Sequence, residues 1–358
     1  MPLDHYVTLG RSGLRVSPLC LGTMTFGEDW GWGSSVADSK AIIDAFMAAG
    51  GNFFDTANVY TKGHSEVIIG DHLGSDPGRR QRAVIATKFT GNLYRNDPNG
   101  GGAGRKSIIQ QCENSLRRLQ TDYIDVYWMH MWDMVTPIDE TMRALDDLVR
   151  DGKVRYIGAS DTPAWKISQA QMIAEMRNLV PFVGLQIEYS LLERTVEAEL
   201  IPMAQELGLG VTPWSPLKSG VLTGKFKRGG EGSSRGIGAN MHLTDKTFDL
   251  LDVMHEAASA LDTTPARIAI NWVHNRPGVT STIIGARTMA QLEDNVAALD
   301  VRLPADLVAK LEAATTPDLP FPIDILNHMR GFGNGGATVN GHAAEAFYLA
   351  PVGDDDRY

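Results

Sequence analysis

Four side chains stand out as a set: Asp55, Tyr60, Lys88 and His130. Asn52-Phe53-Phe54-Asp55 is a short apolar stretch that stops at a carboxylate, and a phenol follows five residues on. Ala83-Val84-Ile85-Ala86-Thr87-Lys88 ends on a lysine, and Ile124-Asp125-Val126-Tyr127-Trp128-Met129-His130 ends on a histidine. A free phenol, with a pKa of about 10, is a reluctant proton donor near neutrality. A neighbouring ammonium favours the phenolate and lowers that pKa, and a carboxylate fixes the ammonium in place. The set suits carbonyl reduction, in which hydride addition leaves charge on oxygen that an acid must quench. Tyr60 is then the acid, Lys88 its tuner, Asp55 the anchor of Lys88, and His130 the group that aims the carbonyl oxygen. Singly, each residue has an ordinary reading: a strand-end Asp caps a helix, a strand-terminal Lys is solvated, and a His after an apolar run is a satisfied core group. Only their convergence makes a site.

Convergence requires a scaffold that brings successive strand ends together. Apolar runs of four to seven residues alternate with amphipathic helical stretches, the pattern of a parallel sheet covered by helices. Strands are expected near residues 18–23, 52–55, 83–88, 124–130, 154–159, 183–187, 209–214 and 280–285. Helices are expected over 38–50, 64–73, 105–119, 138–151, 162–178, 196–207, 246–275 (broken at Pro265) and 288–299. Ser39, Thr162-Pro163 and Asp262-Thr263-Thr264-Pro265 read as helix starts, and Gly50, Gly152 and Gly208 as stops. Eight such units with short connections close into a (β/α)8 TIM barrel rather than spreading into an open sheet. Tyr6 to Ser17, two alternating segments around a Gly/Ser turn, reads as an N-terminal β-hairpin ahead of it. Asp55, Lys88 and His130 then end barrel strands two, three and four, with Tyr60 in the loop after strand two. The connections 24–37, 89–104 and 217–245 are too long for simple loops and lie on the C-terminal face, where barrel enzymes bind substrate.

Composition is compatible with one large domain over residues 1–358. Hydrophobic residues are 43% and charged residues 21%, which suits a folded enzyme-sized core. A net charge of -10 and the lack of dense Lys/Arg runs leave no basic field for a phosphate backbone, so nucleic acid is not an expected partner. No apolar run long enough to span a bilayer and no signal-like start is present, so the expected location is the cytoplasm, away from a membrane. Cys20 and Cys112 form neither a disulfide framework nor a zinc cluster and read as buried thiols. The nine histidines show no metal spacing, and no metal is expected. The Gly/Pro-rich tail, 317–358, is expected either to cover the C-terminal face or to be partly disordered. It contains a Gly-x-Gly-x-x-Gly match at Gly331, Gly333 and Gly336, rejected as a dinucleotide fingerprint because no apolar strand precedes it.

The segments Phe53-Phe54-Asp55-Thr56-Ala57-Asn58-Val59-Tyr60, Thr87-Lys88, Asp125-Val126-Tyr127-Trp128-Met129-His130 and Gly152-Lys153-Val154-Arg155-Tyr156-Ile157-Gly158-Ala159-Ser160 together resemble the aldo-keto reductases, from Tyr6 to about Thr316. The similarity is greatest to the branch holding aryl-alcohol dehydrogenase-like enzymes and potassium-channel β-subunits. The family's catalytic tetrad matches Asp55, Tyr60, Lys88 and His130. The resemblance further implies an extended NADP(H) across the C-terminal face. It places nicotinamide contacts at Ser160, Asp161 and Gln186, with Asp161 where the family usually has Asn, and stacking at Trp214. Ser215, Leu217, Gly220 and Lys225 match the segment over the pyrophosphate. Gly285 and Arg287, with Gln291, Asp294 and Asn295, match the adenosine end, and Gly22, Thr23, Met24 and Asp55 are further implied contacts. Arg287 favours NADP, because a guanidinium pairs bidentately with a 2′-phosphate that NAD lacks.

Trp30, Trp32, Met131 and Trp132, in the loops after strands one and four, either form an apolar pocket that takes a bulky or aromatic aldehyde or only pack the loops together. The expected partner is thus a small carbonyl or alcohol, and a homo-oligomer stays open. The rival reading is a cofactor-binding, redox-sensing regulatory subunit resembling the channel β-subunits, with little turnover.

Overall fold

Alternating inward and outward residues, repeated along eight short strands, close the chain around a packed interior. A computed structural model describes residues 2–228 and 241–357; the expected loop over 217–245 therefore lies partly outside the described residues. Strands β1 (Val7–Thr8) and β2 (Arg15–Val16) pair antiparallel as a hairpin. The barrel strands follow: β3 (Leu19–Gly22), β4 (Phe53–Asp55), β5 (Val84–Phe89), β6 (Ile124–Met129), β7 (Val154–Ser160), β8 (Phe182–Glu188), β9 (Gly210–Trp214) and β10 (Thr282–Gly285). All neighbours are parallel, in the order β10-β3-β4-β5-β6-β7-β8-β9. The two ends meet at Val211, whose carbonyl accepts the Thr280 N–H at 2.8 Å and the Ser281 N–H at 3.3 Å. The result is a nearly closed (β/α)8 barrel.

The helices alternate with the strands: α1 (Val36–Ala48), α2 (His64–Ile69), α3 (Pro77–Arg82), α4 (Arg105–Leu119), α5 (Ile138–Arg150), α6 (Ala164–Arg177), α7 (Leu200–Leu207), α8 (Asp245–Ala260), α9 (Pro265–His274), α10 (Met289–Val296) and α11 (Ala305–Ala314). Thr264 caps α9 from its side chain with Pro265 in the first turn, so the break expected at that proline is a full separation of α8 from α9. Several expectations are corrected. The cap of α1 is Ser35, which accepts the Asp38 N–H; Ser39 lies inside the first turn and donates to the Ser35 carbonyl. The helix expected to run to residue 73 changes at Ile69 into a wider π turn over Gly70–Gly74. Here the π turn abuts the end of α4 so closely that a Cβ on Gly74 would sit 1.8 Å from the Leu119 carbonyl oxygen. The helix expected from Val196 begins at Leu200, after a separate turn over Thr195–Glu197. Helices α3, announced by its cap Asp76 and Pro77, and α11 were not anticipated. In the tail, α12 (Ile323–His328) and α13 (Arg330–Asn334) are short and follow no strand, so the Gly331/Gly333/Gly336 match has no strand-to-helix context. Among the described residues no helix is long and apolar enough to cross a membrane.

Leu9 and Val16 from the hairpin join Cys20, Phe53, Val84, Ala86, Val126, Trp128, Val183 and Ile283 in one cluster inside the barrel. The hairpin is therefore the floor of the barrel. Gly10 makes this possible, since at φ 56° it lets the hairpin backbone reach Val183 and Gly210, where a Cβ would collide with both. The Trp128 ring crosses the interior to Gly158 and Gly184, where an added Cβ would stand 2.1 Å and 2.7 Å from it. The indole is thus accommodated by two paired glycines on the next two strands, β7 and β8.

Candidate active site

Period-two alternation carries the inward positions of the packed interior up to the mouth. Phe53 leads to Asp55, Ala86 to Lys88, Trp128 to His130, Gly158 to Ser160, and Gly184 to Gln186. Cys20 leads likewise to Gly22, Ile283 to Gly285, and Gly210 through Thr212 to Trp214. Each of the eight strands thereby delivers one of the expected site residues to the C-terminal opening. The tetrad and the nicotinamide candidates belong to one ring because they share one register.

Within that ring the fully buried Lys88 is the hub. Its ammonium donates to the Asp55 carboxylate, to the Thr56 carbonyl at 2.8 Å and to the Tyr60 hydroxyl at 3.1 Å. Gln186 donates from Nε2 to the other Asp55 oxygen at 3.0 Å, so the anchor is itself anchored. Tyr60 opens a tight turn in which Thr61 and Lys62 take left-handed backbone angles of φ 46° and 61°. Such a conformation is costly for a β-branched residue. Thr61 Oγ1 holds the turn by donating to the Phe26 carbonyl at 2.8 Å and accepting the Ser65 N–H at 2.9 Å. The His130 ring stands edge-on to Tyr60, with centroids 6.0 Å apart.

Burial works against the Lys88 ammonium, but Asp55 and Tyr60 outweigh it and push its pKa up to about 12, so the lysine stays charged. Burial also raises the Tyr60 phenol above its ordinary value; Lys88 pulls it down without reversing the shift. The net lowering expected from the ammonium alone is thus corrected. Burial, aided by the Lys88 charge, lowers His130 to about 3 and keeps its imidazole neutral. Cys20, beneath Asp55, and Cys112 are buried free thiols, and burial pushes both up, Cys112 to about 12, which leaves them poor nucleophiles.

A nicotinamide fits the residues present on two observations. Ser160 Oγ is buried yet has no hydrogen-bond partner among the described residues, and Gly22 and Gly285 line their side of the mouth with backbone alone. Asp161 follows β7 at φ 40° and accepts a hydrogen bond from Trp214 Nε1 at 3.1 Å. After β9, Ser215, Lys218, Ser219 and Gly220 all have positive φ, and Lys218 anchors the segment through Glu188 at 2.8 Å and Glu193 at 3.6 Å. Leu217 packs on the core, Gly220 opens the next turn, and Lys225 lies 5.1 Å from the Phe226 ring centre. Beyond β10, Gln291 Oε1 accepts the Arg287 N–H at 2.9 Å and Asn295 donates to the Gly285 carbonyl at 3.0 Å. Arg287 makes no ion pair among the described residues, whereas Asp294 is paired with Arg267 at 2.7 Å. Thr23 is fully buried with its hydroxyl bonded to the Asp55 carbonyl and Ser65, and Met24 is exposed. A cleft of about 440 Å³ borders Asp161, Glu188, Glu193 and Trp214. A smaller one of about 180 Å³, lined by Asn271, Arg276 and Arg302, shares no residue with the mouth.

Of the pocket candidates, Trp30 and Trp32 pack on each other at 5.5 Å in the loop after β3. Trp132 stacks edge-on with Trp165 at 5.5 Å, and Met131 is exposed beside it. The Lys166 ammonium lies 4.7 Å and 4.5 Å from the Trp132 and Trp165 ring centres. Trp165, Lys218 and the support of Asp55 by Gln186 were missed. Trp165 had one legible signal, its position just after the helix start at Pro163; the other two depend on distant strand ends.

This fold and ring of residues define a class of oxidoreductase, and sequence comparison agrees: the aldo/keto reductase family model matches residues 18–316, and the chain belongs to that family. It is 41% identical over 319 residues to an uncharacterized oxidoreductase, YrpG, of Bacillus subtilis, covering 86% of this chain and 94% of the relative. It is 39% identical to a probable voltage-gated potassium channel subunit beta of Oryza sativa, covering 86% of this chain and 96% of the relative. An aryl-alcohol dehydrogenase of Pestalotiopsis microspora is 36% identical over 92% of this chain and 85% of its own length.

Proposed function

We propose that the chain is a cytoplasmic NADP(H)-dependent aldo-keto reductase that interconverts aldehydes or ketones and their alcohols, with Tyr60 as general acid and base. The observation that carries this reading is the buried Lys88 ammonium joining Asp55 to the Tyr60 hydroxyl. When bound, the nicotinamide supplies the hydride. Ser160, Asp161 and Gln186 would hold its amide end, Trp214 would flank the ring, and Arg287 would read the 2′-phosphate. Tyr60 passes its proton to the substrate oxygen, and the neutral His130 donates a hydrogen bond to that oxygen and orients it. Lys88 supplies the positive charge that stabilises the phenolate left behind, while Asp55 and Gln186 keep Lys88 aimed. The two indole pairs favour bulky or aromatic substrates by offering flat apolar walls.

Steady-state assays with NADPH and a panel of aromatic and aliphatic aldehydes test the reading. Tyr60→Phe is expected to abolish reduction and leave NADPH binding nearly intact; substantial turnover by the variant would remove Tyr60 from the acid role. The similarity to channel β-subunits supports a second reading, a redox-sensing regulatory subunit. Tight NADPH binding with negligible wild-type turnover across the panel would favour it over the enzyme.

A further inference from the structure

Asp161 puts a titratable charge where an amide would make the same hydrogen bonds. The left-handed backbone that ends β7 turns its side chain toward β9, and its own N–H donates to the Gln186 carbonyl at 3.2 Å. Trp214 Nε1–H then fixes Oδ1. Asp161 adjoins Ser160, whose buried hydroxyl has no partner among the described residues, and it is exposed at the mouth, open to a ligand.

The charges around it do not cancel it. From β5, Lys88 is matched by Asp55. From β8, Glu188 is matched by Lys218, which also reaches Glu193. Tyr60 and His130 face the same opening and are neutral near pH 7. Partial desolvation raises the Asp161 carboxyl to about 6; the Trp214 hydrogen bond opposes the rise, Glu188 adds to it, and Lys88 opposes it. The group is therefore anionic above that pH and neutral below it.

We propose that Asp161 is a specificity-determining residue for cofactor redox state: its carboxylate, pinned by Trp214 beside the nicotinamide position, favours the cationic oxidised ring over the neutral reduced one. The inference rests on the NADP(H) reading above. When a hydride leaves the reduced ring, two electrons and one proton go to the carbonyl carbon, Tyr60 supplies the second proton to oxygen, and the ring is left with a positive charge. A fixed anion stabilises that charge. It draws hydride transfer toward carbonyl reduction in the bound complex and makes the oxidised cofactor the tighter ligand.

Asp161→Asn keeps the shape and the acceptor for Trp214 and removes the charge. Calorimetric Kd values for NADP+ and NADPH, above and below pH 6, give the ratio Kd(NADP+)/Kd(NADPH) for both proteins. The 2′-phosphate titrates in both ligands and cancels in the ratio. Above pH 6 the ratio is expected to be about three- to tenfold higher in Asp161→Asn, the scale of a unit charge in a partly screened site. In the wild type it should rise toward the variant's value as pH falls, an arm that stands even if the variant misfolds. Equal ratios above pH 6, or a pH-independent wild-type ratio, overturn the inference alone. Failure of either cofactor form to bind wild type overturns the NADP(H) reading and the inference with it.

Discussion

Tyr60 illustrates how one side chain's role is set by its surroundings. Burial outweighs Lys88, so the phenol keeps its proton through the neutral range, the state an acid requires. Lys88 contributes chiefly by staying charged at the moment the proton leaves. At the opposite end of the proposed cofactor site, Arg287 is half-buried and free of ion pairs among the described residues, with its backbone held by Gln291. A guanidinium so placed can meet a 2′-phosphate without breaking another contact. Arg287→Ala is expected to weaken NADPH binding by about tenfold or more and to leave NADH nearly unchanged, as expected for loss of a charge-assisted hydrogen bond. Titration of both cofactors against both proteins checks it, and an unchanged Kd ratio excludes Arg287 as the phosphate reader.

The strands act as rulers, and their accuracy depends on the layer beneath the mouth. Trp128 supports the ring two residues below His130, and Gly158 and Gly184 give its indole room. Gly158→Ala inserts a methyl 2.1 Å from that ring, an overpacking that local rearrangement relieves only partly. It should destabilise the fold by about 1–3 kcal/mol. It should also lower kcat more than KM by displacing His130. Gly13→Ala, where an added Cβ meets nothing within 4 Å, is the control. Urea unfolding of both variants, with steady-state kinetics, separates the effects; equal stability of the two would contradict the packing argument.

For the molecule as a whole, the depressed histidines link stability to pH. Burial lowers His130 to about 3 and His274 to about 4, so both are neutral in the folded chain and take up protons on unfolding below about 6.5. Their contribution is complete above about pH 6.5 and is lost as pH falls toward those values. The raised Asp161 carboxyl works in the opposite sense, favouring the fold below its unfolded pKa and ceasing to do so as pH rises through about 6. The Asp125 carboxyl, also raised by burial, acts with Asp161, while the lowered carboxyls of Asp29, Asp44 and Asp133 act with the histidines, their contribution being lost in acid. His274→Asn, remote from the tetrad, should flatten the fall of Tm between about pH 6.5 and 4 relative to wild type. Thermal scans across that range test it, and parallel curves would remove His274 from the account.

The eight strand–helix units, the hairpin, and the placement of Asp55, Lys88 and His130 at strand ends were legible in the residues, because alternation and apolar runs are local signals that tertiary packing then reinforces. The helix caps were only partly legible. Ser35 and Ser39 both offer a hydroxyl, and only the path of the loop before α1 selects between them. The π turn at Gly70–Gly74 and the late start of α7 belong to packing and to turns between elements, which no local period encodes. The connections that define the site are longer still. Gln186 reaches Asp55 across 131 residues, Lys218 joins the ends of β8 and β9, and Trp165 meets Trp132 from the next unit. The sign of the Tyr60 shift is of the same kind, since it balances desolvation against charges from separate strands. Periodicity acts between neighbours in the chain, while desolvation and Coulomb terms act between neighbours in space, and only the closed barrel makes these groups neighbours.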